Sequence, residues 1–328
     1  GITQDAGGGL HMRGGRSSEI SYMVDGVPMT DSYDGGISVQ IENDNLQELQ
    51  VISGTFNAEY GRALTGIINM VTKDGGNKLE GSFNIYSGDH STSDPIFQNL
   101  DSYSPTNDYS LTANLNGPLL PGKITFYSSS RINNSKGWLY GKQLFSLYGD
   151  TISNPSYHGM NWYNSWSSQN KLTFKIRPST KLRLNTIFNS GISQNYDHYR
   201  QMVRDGQKKN YNSGKFTGIN LSHSFSSNSF VEINLTEYLH RYESYLYKDS
   251  LDSRYVTPDS LFWAHTVGEV PPHITETYGE GVNYFPQYTF NRWGLDTDRF
   301  MRETKTQSFK VDYTNQINKY NQIKMGAD

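Results

Sequence analysis

Cysteine is absent from the 328 residues. Disulfides and thiolate metal sites are therefore excluded, although many compartments remain open. An excess of either charge is also missing: 29 Lys and Arg stand against 32 Asp and Glu, a formal net charge of -3. Binding to nucleic-acid phosphates needs a basic surface, so no nucleic-acid partner is expected. No apolar run approaches the roughly 18 residues that a membrane-spanning helix requires. Hydrophobic residues make up only 34% of the chain, and the mean hydropathy is -0.69. A helical span is excluded. A barrel is not, because its strands need only about 9–11 residues each. Aromatic residues, by contrast, are abundant at 13%, with 24 Tyr. Disordered chains are poor in such residues. A polar, Tyr-rich chain fits a transmembrane β-barrel, where alternate residues face lipid and aromatic girdles mark the two interfaces.

From about residue 79 onward, period-2 alternation recurs between turn-forming residues. Leu172, Phe174 and Ile176 share one face of a strand; Leu182, Leu184 and Phe188 share another. Val231, Ile233, Leu235 and Leu239 repeat the pattern, as do Phe309, Val311, Tyr313 and Ile317. The opposite faces carry Lys, Arg, Asn, Thr, Glu and Asp. Short connections are expected at 117–123, 177–181, 226–229 and 318–321, and long ones at roughly 89–107, 133–165, 192–213 and 242–304. Alternation by itself fits a soluble all-β sandwich or propeller equally well. The regular short–long order favours a barrel with tight turns at one rim and long loops at the other. We count about nine strands from residue 79 to the end of the sequence. The chain begins without Met, and "NQIKMGAD" reads as a strand cut midway, so a piece of a longer protein is expected.

The first 76 residues are different: glycine-rich, with strand signals of mixed spacing. Four motifs occur there in order. They are Arg13-Gly14-Gly15; Asp25-Gly26-Val27-Pro28; Ala58-Glu59-Tyr60-Gly61, followed by Arg62; and Gly66-Ile67-Ile68-Asn69-Met70-Val71-Thr72-Lys73. Leu46 through Ile52 lie between the second and third, with Glu48 among them. Together they resemble the plug domain of TonB-dependent outer-membrane receptors. Ser53-Gly54-Thr55 departs from the Arg-Gly-Pro common in that family, and the Ala-Glu-Tyr-Gly-Arg version resembles a branch that often carries an extra N-terminal β-sandwich.

The expected fold is mostly β: a small mixed α/β plug over residues 1–76, then antiparallel strands of an incomplete transmembrane barrel over 77–328. Asp25-Gly26 is expected to make a tight turn. "NDNLQELQ" is expected to form a short helix with Asn43 or Asp44 as its cap. Glu59 and Arg62, three residues apart, are candidates for a charged contact with the barrel wall, against the plainer reading of a solvated pair.

The resemblance implies active uptake in the bacterial outer membrane rather than catalysis. The implied partners are outer-membrane lipid, TonB with its inner-membrane energising complex, and an external ligand. The TonB-binding segment is not in this sequence. Siderophore, cobalamin, oligosaccharide and peptide all stay open as ligands. Residues 29–36 would face outward, so Thr30, Asp31, Ser32, Tyr33 and Asp34 are candidate ligand contacts, with His11 beside the Arg-Gly motif. Trp138, Trp162 and Trp263 are candidates in the long loops, where aromatic rings either stack on ligand or build the loop's own small core. No cofactor, metal site or catalytic set is expected. Gly9 and Gly14 have phosphate-loop spacing, but Gly15-Arg16 follow where Lys-Ser/Thr is needed. Asp296 and Asp298 are too few for an EF-hand loop. The competing readings are a soluble all-β binding module and a passive porin or adhesin-like barrel.

Overall fold

The computed structural model describes residues 2–5, 9–33, 35–37, 39, 41–53, 64–147, 149–255, 290–291 and 294–328. Strands dominate, and the described residues contain no α-helix.

The N-terminal part starts with a two-stranded ribbon, β1 (Ile2–Gln4) on β2 (Leu10–Met12). A four-stranded sheet follows, made of β3 (Ile20–Val24), β4 (Val27–Pro28), β5 (Leu46–Ile52) and β6 (Gly66–Thr72) in the order β4-β3-β6-β5. The apolar β3 and β6 are central and pair in parallel, which needs a long crossover and burial of both strands. Asp25 and Gly26 join β3 to β4 with φ of 50° and 81°. Two successive positive φ values match the right-handed twist of a two-residue hairpin. Gly66 is required by packing: a Cβ there would lie 1.9 Å from the Met12 sulfur.

The expected helix at "NDNLQELQ" is not formed. Asn43–Asn45 make one 3-10 turn with Glu42, rather than Asn43 or Asp44, at the N-cap position and no side-chain cap bond, and Leu46–Ile52 are the strand β5. Leu, Gln and Glu are good helix formers, but intrinsic propensity is a small preference that tertiary pairing overrides. Pairing along the whole length of β6 outweighs that preference.

Residues beyond 79 form one antiparallel sheet of nine strands among the described residues. They are β7 (Glu80–Gly88), β8 (Asp108–Leu120), β9 (Ile124–Ser135), β12 (Tyr163–Arg177), β13 (Thr180–Ser193), β14 (Lys209–Ser226), β15 (Ser229–Tyr245), β16 (Phe300–Gln316) and β17 (Gln322–Ala327). A short ribbon, β10 (Tyr140–Lys142) with β11 (Tyr157–Gly159), sits inside the β9–β12 connection. Turns of a few residues join strands at one rim, and the long connections lie at the other.

Two neighbouring rows of this sheet show how the sequence pattern becomes two faces. Phe126, Leu172, Leu184, Ile219, Leu235 and Phe309 stand opposite one another across six adjacent strands. One residue away, Tyr127, Lys171, Asn185, Gly218, Thr236 and Ser308 make the matching row on the other face. The apolar row is the lipid-facing side of a barrel wall, and the polar row is the lumenal side. The N-terminal sheet packs on the polar face and bonds to residues of β9, β12, β13, β15 and β16, so the wall curves around it. Ile187, Phe216 and Tyr238 of the wall join Met12, Ile20, Val24, Met29, Val39, Ile68 and Met70 in a shared apolar core.

Candidate functional site

Three groups of charged contacts tie the N-terminal sheet to the wall. The first is centred on Lys171 of β12, only 4% exposed. Its ammonium lies 3.2 Å from the Asp25 carboxylate and 3.1 Å from that of Asp74, and it donates to the Thr72 carbonyl at 3.1 Å. Asp25 also accepts from the Thr72 backbone N–H at 2.8 Å, the Thr72 hydroxyl at 2.7 Å and Asn185 at 3.1 Å. The hairpin turn therefore presents a carboxylate that clamps the end of β6 and meets a wall cation together. Asp74, just beyond β6, also faces Arg183 at 3.5 Å.

The second group uses Arg131 of β9. Its guanidinium bonds Glu42 and lies 2.6 Å from Asp44, while its Nε donates to Thr112 at 2.9 Å. Ser167 also donates to Glu42, at 3.0 Å. Beside them Tyr127 donates to the Asn45 side chain at 2.9 Å. The 3-10 turn that replaces the expected helix is what points Glu42, Asp44 and Asn45 at this wall.

The third group lies nearer the long-loop rim, where His240 pairs with Gly214. The Asp31 carboxylate is fully buried, 2.8 Å from His240 Nδ1 and 3.5 Å from Arg302. Tyr238 donates to the Thr30 carbonyl at 3.0 Å. Arg302 also stacks over the Tyr33 ring, 4.6 Å from its centroid. Burial drives the Asp31 carboxyl upward, but the His240 hydrogen bond, the Tyr33 backbone N–H and the Arg302 charge outweigh it and hold it below its ordinary value.

These contacts are strong in geometry yet embedded in an under-bonded surface. Gln169, Thr173 and Asn185, all on the lumenal face around Lys171, bury side-chain polar atoms that make no hydrogen bond within the protein. Leaving such atoms dry costs about 1–3 kcal/mol each. Separation of the two surfaces lets water reach them, which offsets part of what the ion pairs hold. A cavity of about 330 Å³ adjoins this area, between the Asp25–Gly26 turn and Asn220, Asn234 and Thr236 of the wall.

The residues singled out in the sequence are thus dispersed. Asp31 lies buried against the wall, whereas Tyr33 is 67% exposed and Ser32 is exposed. His11 bonds the Gly15 carbonyl at 2.8 Å and Asp5 at 2.7 Å within the N-terminal part. Arg13 and Gly14 form a turn with φ of 52° and 78°. Glu48 lies exposed on β5. Trp138 packs on Phe97, and Trp162 donates to Gln194 at 2.9 Å. Asp296 and Asp298 both face Lys208. Asp34, Glu59, Tyr60, Gly61, Arg62 and Trp263 lie outside the described residues. The charged contact expected from the sequence was Glu59 with Arg62, outside the described residues, whereas Glu42, Asp44, Asp74, Lys171, Arg131, His240 and Arg302 carried no local signal.

Residues 2–67 match the family model of the TonB-dependent receptor plug domain. A 74-residue segment is 34% identical to the TonB-dependent transporter Oar of Myxococcus xanthus; it is 23% of this chain and 7% of that transporter. The fold is similar to the outer-membrane transporter YddB of Escherichia coli, with a TM-score of 0.60 and 12% identity, covering 94% of this chain and 39% of YddB. It is also similar to the ferric enterobactin receptor PfeA of Pseudomonas aeruginosa, with a TM-score of 0.57 and 13% identity, covering 97% of this chain and 41% of PfeA. The chain therefore spans well under half the length of each of these proteins.

Proposed function

We propose, for a chain whose residues 2–67 are the plug domain of a TonB-dependent receptor and whose later strands have the outer-membrane barrel fold of such receptors, that it works in active uptake of an external ligand. Residues 1–76 act as the movable unit, and 77–328 supply part of the wall around it. TonB and its inner-membrane energising complex supply the work, and outer-membrane lipid surrounds the wall. The activity is transport, with no bond-breaking chemistry.

The observation that carries this reading is the lumenal contact set. Asp25, Glu42 and Asp31 each meet a cation of the wall, Lys171, Arg131 and Arg302 in turn, and the surface between them holds unsatisfied polar atoms. When such a surface separates, its buried charges and orphaned polar atoms regain water, which offsets much of the lost ion-pair attraction; a continuous apolar core has no such offset. The shared apolar cluster around Phe216 and Tyr238 keeps the unit seated at rest. A passive pore has no use for a sheet bonded across its lumen.

The test needs no knowledge of the ligand. A single cysteine replacing the buried Asn45 is placed in the full-length receptor in cells and exposed to an impermeant maleimide. Labelling is expected to rise when the inner membrane is energised and to fall to background with a protonophore or without TonB. Equal labelling in all three states would remove the energised-movement reading.

A further inference from the structure

At the long-loop rim, three connections converge on a pocket of about 370 Å³. The β7–β8 connection contributes Asn107, the β9–β12 connection Lys136, Tyr140, Tyr157 and Trp162, and the β13–β14 connection Arg204. Residues brought together from three separate loops over a rigid wall are a common plan for a binding site. The pocket lies apart from the contacts that hold the N-terminal sheet.

Its chemistry is specific. Three aromatic rings line one small space, and the bond from Trp162 to Gln194 pins the indole in place. Tyr157 is 41% exposed, with the Lys142 ammonium over its ring, 5.4 Å from the centroid. Donors stand around the rings: Arg204 buries an Nε that donates no hydrogen bond and meets Asp205 only at ion-pair distance, and Lys136 makes no ion pair among the described residues. Asn107 uses its amide N–H on Asp89, at 3.0 Å. Fixed flat rings edged by spare donors suit a ligand with an apolar ring face and acceptor oxygens around its edge.

Charge narrows the class. Carboxylates offset the cations on the same rim: Asp205 lies 3.8 Å from Arg204, and the charges of Asp89 and Asp108 act on the Tyr140 hydroxyl. The site has donors in excess but little net charge. A small anion would meet the field of these carboxylates, whereas hydroxyl groups would not. We infer that this pocket holds a neutral sugar ring, the terminal unit of a saccharide. The inference rests on the reading of the protein as a receptor for an external ligand and names the class of that ligand.

The test uses the full-length receptor in a detergent without a sugar headgroup. Maltose, cellobiose, lactose and chitobiose are titrated calorimetrically, with digalacturonate as the anionic comparison. At least one neutral disaccharide is expected to bind. Trp162→Ala and Arg204→Gln are each expected to weaken it about tenfold or more, while Trp162→Phe, which keeps a ring face, stays within about threefold. The inference is overturned if no neutral disaccharide binds, if both disruptive variants bind as the parent does, or if digalacturonate binds more tightly than every neutral sugar. Sugar binding without energised labelling at Asn45 would remove the transport reading and leave the pocket assignment standing; labelling without sugar binding would do the reverse.

Discussion

The Lys171 ammonium of the wall sits 3.2 Å from the Asp25 carboxylate at the tip of a two-residue turn. The pair is asymmetric. Without Lys171, Asp25 still accepts from Thr72 and Asn185. Without Asp25, the Thr72 backbone N–H loses its acceptor, and the buried ammonium keeps only Asp74 and a carbonyl.

Asp25→Ala is therefore expected to loosen the plug more than Lys171→Met does. The difference should be about 1–3 kcal/mol, the usual cost of orphaning a buried polar group. The urea midpoint at which the plug of the full-length receptor becomes sensitive to protease measures it. An equal or inverted effect would contradict the asymmetry.

Acid should weaken the contact at Asp31. Its folded-state carboxyl is held below the ordinary value, so the contribution is fully present above the unfolded value near 3.9 and is lost as pH falls through the lower folded value. The groups facing it are His240 and Arg302. Hydrogen exchange of residues 29–33 should quicken as pH drops below about 4, after correction for intrinsic rates. Asp31→Asn should exchange faster already at neutral pH and respond less to acid.

Gly75 threads past the wall with no room for a side chain. A Cβ there would lie 2.4–2.7 Å from backbone atoms of Phe126, which cannot rotate away. Gly75→Ala is expected to cost about 1–3 kcal/mol through overpacking and to lower the thermal midpoint of the receptor. Gly14→Ala meets no neighbour but must adopt a φ of 78°, so its effect should come from backbone strain alone. A Gly75→Ala protein as stable as the parent would refute the close approach.

The two faces of the wall should respond in opposite ways to charge. Ile233, on the same face as Leu235, is expected to tolerate Arg poorly, at about 2–4 kcal/mol if it lies near the membrane midplane. Asn234, one residue away, lines the lumenal cavity. Asn234→Arg gives up the hydrogen bond from Asn220 but should still fold into vesicles, at a smaller cost than the Ile233 change. Folding yield and heat-modifiable gel mobility report both.

The wall was legible in the sequence because strand alternation is local. Leu182, Leu184 and Phe188 announce a face without reference to any other strand. The turn at Asp25–Gly26 was legible for the same reason. The segment from Asn43 to Gln50 was not, because its helix-favouring side chains are overruled by β6, whose residues come some twenty positions later. The role of Asp31 was further out of reach. Its acceptor bond joins residues 209 positions apart, and nothing near either one marks the other. Which ion pairs tie the N-terminal sheet to the wall follows from the register of the wall strands and not from any local pattern.

The parallel pairing of β3 and β6 has a mechanical meaning. Ile20 pairs with Gly66 and Val24 with Met70, so the two strands run the same way. A pull from the N-terminal side enters at Ile20, and the resisting anchor, where Lys73 to Gly76 lead into the wall, lies past the far end of β6. Such a load slides the strands lengthwise and stresses all the rungs between them at once, instead of opening them one by one like a zip. The side-chain ties of Asp25, Glu42 and Asp31 to the wall are separate contacts rather than a ladder of rungs. If the chain is pulled from its N-terminal side, the small sheet is expected to come away as a block before it unravels.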